Sequence, residues 1–182
     1  MSITLLASEN YVAHPDAVSL GLLVLRVGAG VAMAAHGYQK FFKGGRLAGT
    51  GRWFESIGIR NGRLNATLAA STEVGAGLLF AIGFATPLAA MGMVAMMVVA
   101  GYTAHWRMGN GFMSVNDGIE LNYVYGVIAV GVATVGAGRH SVDHALEWIE
   151  CADGWTGLAI AAGGGLAAAL AQMAVFYRPP TD

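Results

Sequence analysis

Residues 18–38 read VSLGLLVLRVGAGVAMAAHGY, twenty-one positions that hold a single charge, Arg26, in a run of Leu, Val, Ala and Gly. At a rise of about 1.5 Å per residue such a stretch covers about 30 Å, the thickness of a bilayer's hydrocarbon core. It therefore reads as a membrane span. Four more windows of similar length and low charge follow, at 64–84, 86–105, 119–138 and 155–177. The whole composition agrees: 55% of the 182 residues are hydrophobic and 12% are charged, about half of what a soluble surface carries. A mean hydropathy of +0.56 excludes a disordered chain, and a net charge of −1 argues against a nucleic-acid partner, which favours a strongly basic protein. The expected fold is an all-α membrane protein: a four-helix transmembrane bundle plus a fifth C-terminal transmembrane helix and short interfacial helices. Residues 1–17 form an external segment, 18–150 the four-helix core, and 151–182 the additional helix and a short tail.

Basic residues give the topology. Lys40, Lys43, Arg46, Arg52, Arg60 and Arg63 lie between spans one and two, and Arg107 and Arg178 fall on the same face. Arg139 stands alone on the other. Lys and Arg in short loops are retained on the cytoplasmic side, so the N-terminus is expected outside and the C-terminus in the cytoplasm. The first sixteen residues contain no Lys or Arg and lack the basic start of a cleavable signal peptide. Residues 47–59 place Trp53, Phe54 and Ile57 near one side of a helix, with Arg52 and Glu55 turned away, as in a helix lying among headgroups. Ser141 is a plausible N-cap for a second such helix, with Asp143 in its first turn and Val142, Ala145, Leu146 and Ile149 at helical spacing. Pro87, just beyond Gly83 and Thr86, predicts a tight hairpin between spans two and three. The polar, Gly-rich residues 107–118 read as an ordered re-entrant or surface loop. Cys151 is the sole cysteine, so no internal disulfide forms.

Ionisable groups within a span are costly unless partnered and tend to face the bundle interior. Arg26 in span one and Glu73 in span two come to similar depths if both helices fill the bilayer, which predicts an Arg26–Glu73 ion pair. Such a pair can be structural glue, a proton relay or a ligand contact. A second set gathers where spans one and three end and span four begins: His36, Lys40, His105, Asn110, Glu120 and Tyr123. Two histidines, a carboxylate and a phenol at one mouth could hold a quinone head, whose carbonyls want hydrogen-bond donors and whose redox chemistry needs proton carriers. The same residues suit helix ends that simply meet water and headgroups, and the sequence leaves both readings open. No cofactor is predicted, and these residues could hold a bound quinone or lipid. His36 and His105 could in principle be two axial haem ligands, but no CxxCH accompanies them, which argues against haem. No HxxxH or HExxH spacing supports a metal. Walker A, GxSxG and GxGxxG sequences are also missing, and no catalytic residue is assigned. The paired glycines Gly28 with Gly30 and Gly75 with Gly77 allow close helix approach. Met91, Met93, Met96 and Met97 read as packing. In span five, the Gly163–Gly165 run could loosen the helix, and its small-residue face suggests docking on another membrane subunit.

The order of these residues resembles the DoxX family of small bacterial and archaeal membrane proteins over about residues 20–146. The resemblance runs from the Arg26 region through His36-Gly37 and Lys40 to Trp53-Phe54-Glu55-Ser56-Ile57-Gly58. It continues with Glu73, Gly75, Gly77, the Gly83 and Thr86-Pro87 turn, His105, Asn110-Gly111-Phe112, Asn116, Gly118 and Glu120, and closes at Gly136 to Asp143. It implies a four-helix core in a prokaryotic plasma (inner) membrane. By association it also implies a link to quinone-coupled sulfur oxidation or to membrane-tethered redox-defence assemblies. The fifth span departs from the short family pattern and points to membership of a larger complex.

The leading expectation is an accessory membrane subunit of an oxidoreductase complex, acting as anchor or contributor to a quinol site, with soluble redox enzymes among its partners. The alternatives are a stand-alone small-molecule transporter or assembly factor, and a purely structural anchor that recruits soluble enzymes through its basic loop.

Overall fold

The computed structural model describes residues 14–147 and 152–179. The chain is an all-α membrane protein, and among the described residues its β-structure is one isolated bridge, Ile59 to Tyr177. Helix α1 (Pro15–Phe42) starts on a proline at its first turn, where no backbone donor is lost, and overruns the predicted span at both ends. Then come α2 (Arg46–Ser56), α3 (Gly62–Ile82), α4 (Thr86–Trp106), α5 (Glu120–Val135), α6 (Val142–Leu146) and α7 (Trp155–Phe176). Four helices, α1, α3, α4 and α7, are long and apolar enough to cross a membrane. The expected span 119–138 is shorter than predicted. Its helix α5 has 16 residues, about 24 Å, because Gly136 leaves helical geometry at φ 101° and ψ 167°.

The seam between α1 and α3 is built on small residues. A Cβ added to Gly30 would lie 2.8 Å from the Ala81 amide nitrogen, and one on Gly77 would lie 2.6 Å from the Gly30 carbonyl, so the two backbones touch. Phe80, Met33, Met93 and Val132 fill the interior between the helices. Helix α7 lies against α4 and α5. Its Ala161 and Ala169 are fully buried, and a Cβ on Gly165 would meet the Val94 side chain at 2.7 Å. The small residues Ala161, Gly165 and Ala169 are thus packed inside the chain, whereas Gly163, Ala167, Ala171 and Ala174 of the same helix stay exposed. Residues Ala159–Gly164 form a π-helical turn, where the glycine run loosens the helix as its sequence suggests.

The two ends are tied differently. At one, Gly83 and Ala85 take left-handed backbone before Pro87 opens α4, and both Asp143 oxygens accept bonds from the Ala85 and Thr86 amides at 2.7 and 2.9 Å. A carboxylate on bare helix-start donors is well placed electrostatically. Ser141 caps α6 as expected, its Oγ accepting from the His144 amide at 3.1 Å, while Ile149 lies outside the described residues. At the other end Arg60 N donates to Phe176 O and Arg178 N donates to Gly58 O, joining the basic loop and the tail on one face. In α2, Ile57 is buried with Ile59, whereas Trp53 is 48% exposed, so the apolar side of that helix is divided.

Candidate functional site

The alanine-rich faces of α3, α4 and α7 leave room between them, because methyl side chains cannot fill the interhelical space. The result is a cavity of about 520 Å³ in the half of the bundle that bears the basic loop. Its walls are mainly apolar, with Met33, Met96 and Leu121 among them. His36, Lys40, Glu73 and His105 enter from α1, α3 and α4, and Trp53 and Phe54 of α2 line the cavity too.

Glu73 is paired, but not with the residue expected. Lys40 Nζ donates to Glu73 Oε1 at 2.6 Å and to Oε2 at 2.5 Å, with the Glu73 side chain 6% exposed. Arg26 instead donates to the carbonyls of Ala81 (3.2 Å) and His140 (2.6 Å), with Asp143 as its nearby negative charge. The predicted Arg26–Glu73 ion pair is therefore corrected to two separate anchors. The reason is register. Contact of Gly30 with Gly77 sets Arg26 beside Ala81, and Glu73 lies eight residues before Ala81, about 12 Å down the helix. Gly83 makes the Arg26 site possible: at φ 67°, any Cβ there would collide with the guanidinium.

The expected mouth divides as well. His36, Lys40 and His105 line the cavity. The His105 Nδ1 bonds the Asp117 carbonyl, and since a carbonyl only accepts, Nδ1 carries a hydrogen, which leaves Nε2 as the ring nitrogen without that partner. Asn110 donates to the same carbonyl at 3.2 Å, and Glu120 Oε2 accepts from Ser114 N and Oγ at 2.9 and 2.7 Å. Asn110 and Glu120 thus shape the loop that carries Asp117 and do not line the cavity. Tyr123 points outward, 59% exposed, with its ring 6.0 Å from that of Phe112. Among the described residues no group of three or more His, Cys, Asp or Glu side chains is placed to hold a metal, so His36, His105 and Glu120 are not assembled as one centre.

Two lining residues escaped the sequence reading. Gln172 of α7 donates through Nε2 to Asn65 Oδ1 at 2.9 Å, and its buried Oε1 has no partner among the described residues. Both line the cavity. The available signal was a lone amide in an otherwise apolar span, which lipid disfavours. A chamber with apolar walls, one neutralised ion pair, two imidazoles and the amides of Asn65, Asn122 and Gln172 can hold a flat ring by its polar edges. Residues 21–106 match the DoxX family model, in agreement with the resemblance carried by the ordered residue set. No curated protein and no solved structure matches the chain.

Proposed function

We propose that this multi-pass membrane protein, with its DoxX segment over residues 21–106, is the membrane subunit of a redox assembly and receives the ring of a quinone or quinol in its central cavity. The observation that carries the reading is the Lys40–Glu73 pair, which joins α1 to α3 and at the same time lines a roughly 520 Å³ cavity. That volume falls in the range of ligand sites, about 300–1,000 Å³, whose polar groups are few and convergent. A quinone carbonyl is an acceptor. An ammonium has three donors, and Glu73 engages two bonds from Lys40, which leaves one to give. A quinol hydroxyl is a donor, and the His105 imidazole, in its neutral form with Nδ1 on the Asp117 carbonyl, would accept that hydrogen through Nε2. Electrons pass to or from a partner, for which the basic face offers docking charge. That face is assigned to the cytoplasm of a prokaryotic plasma membrane by its basic loop, so a reporter fused after Asp182 is active only in the cytoplasm. An extracytoplasmic signal overturns that assignment.

The test is ligand-dependent stability in nanodiscs. A ligand that binds only the folded state raises its stability, by about 2.7 kcal/mol at a hundredfold excess over Kd. A decyl-tailed benzoquinone should raise the Tm of the wild type by several degrees and that of His105→Phe by much less. Equal shifts in the two proteins, or none in either, refute the assignment.

A further inference from the structure

A second apolar space lies on the outer surface between α4 and α5, a groove of about 720 Å³. Its rim is aromatic: Tyr102, Trp106 and Tyr123 are 43–59% exposed. Two residues, Met97 and Asn122, line both this groove and the central cavity, so one layer of side chains separates the two spaces. That layer is held by a weak contact, Asn122 Nδ2 to Met97 Sδ at 3.7 Å. A thioether is a poor acceptor and methionine has three freely turning bonds, so this wall yields at little cost. On the groove side, Gly126 and Gly131 of α5 have open space where a side chain would stand.

We infer that the α4–α5 groove is the tail site of an amphiphile whose compact, hydrogen-bonding head occupies the central cavity, with Met97 and Asn122 as the gate between them. The inference rests on the head-group reading above and adds the ligand's class: a long apolar chain on a small polar ring, entering sideways from the bilayer. The occupant follows from the continuity of the two spaces and their opposite character. The cavity offers Lys40, His36 and His105, whereas the groove offers almost only hydrocarbon, with Val94, Val98 and Val127 along its floor. A ligand apolar throughout would leave the inner polar groups unmatched. A purely polar one has no use for the groove.

The experiment uses two benzoquinones with the same ring, one tail-less and one with a photoreactive diazirine at the end of a decyl tail, on the full chain in nanodiscs. Mass spectrometry maps the labelled residues, while quenching of Trp53, read in each protein as the difference from its Trp53→Phe counterpart, reports the ring independently of Trp106 on the groove rim. The tailed probe is expected to label the groove at Val127 and Val130, and excess tail-less ring should remove that label by taking the head site. A Cβ on Gly126 meets nothing within 4 Å, so Gly126→Trp has room to project into the groove and should abolish groove labelling and leave Trp53 quenching intact. That retained quenching also certifies the variant's fold. Gly131→Leu is a second filling variant with the same expected result. Labelling spread over lipid-facing residues, or groove labelling that survives tail-less competition or Gly126→Trp, overturns the groove proposal while Trp53 quenching continues to support the head site. Loss of ring quenching in the wild type overturns both.

Discussion

Lys40 and Glu73 set what the cavity can bind, because between them they hold its one buried ion pair among the described residues. Removing one partner leaves the other desolvated and alone, which in a buried pair costs about 3–5 kcal/mol. Lys40 is 23% exposed, so Lys40→Met should cost roughly the lower end of that range, near 3 kcal/mol, in unfolding experiments. The double variant Lys40→Met with Glu73→Met should recover most of the loss and still fail to bind a quinone. A double variant as unstable as the single one contradicts the pairing. Sequence reading identified both residues as buried ionisable groups or mouth residues, since charge inside an apolar span is conspicuous. It matched Glu73 to the wrong cation. Equal-length spans misplace its depth, since α1 runs from Pro15 to Phe42, and backbone carbonyls, invisible to a search for charges, accept from both Nη atoms of Arg26.

At the level of elements, the α1–α3 register is set by glycine contacts. Gly30 and Gly28 lie two residues apart in the same helix, yet Gly28 has no neighbour within 4 Å of an added Cβ while Gly30 faces the Ala81 backbone. Gly30→Ala should therefore lower the melting temperature sharply, because backbone rather than a flexible side chain must give way. Gly28→Ala should be neutral or stabilising by up to about 1 kcal/mol, the usual helix gain of Ala over Gly. Equal effects of the two would contradict the seam. The sequence displayed these glycines as a small-residue pattern, but only packing distinguishes the lipid-facing one from the buried one. The same limit applies to α7. Its small residues were legible, and which of them pack inside the chain, Ala161, Gly165 and Ala169, was not. Ser141 as the cap of α6 was readable because capping is local, its Oγ meeting the His144 amide three residues on, whereas Asp143 binds the Ala85 and Thr86 amides far away in sequence, which no local pattern displays.

On the scale of the whole molecule, the scarcity of charge made the membrane class and the shared basic face legible, since both follow from composition and loop position. The cavity was not legible. It arises from alanines on three helices that are distant in sequence, and from an amide, Gln172, whose partner Asn65 is 107 residues away. The same geometry supplies the most direct test of the central claim. Among the described tryptophans Trp53 alone lines the cavity. Nanodisc-embedded protein titrated with a tail-less benzoquinone should show saturable fluorescence quenching that is largely lost in Trp53→Phe. Quenching that never saturates, or that is the same in wild type and Trp53→Phe, would contradict a quinone ring in this cavity.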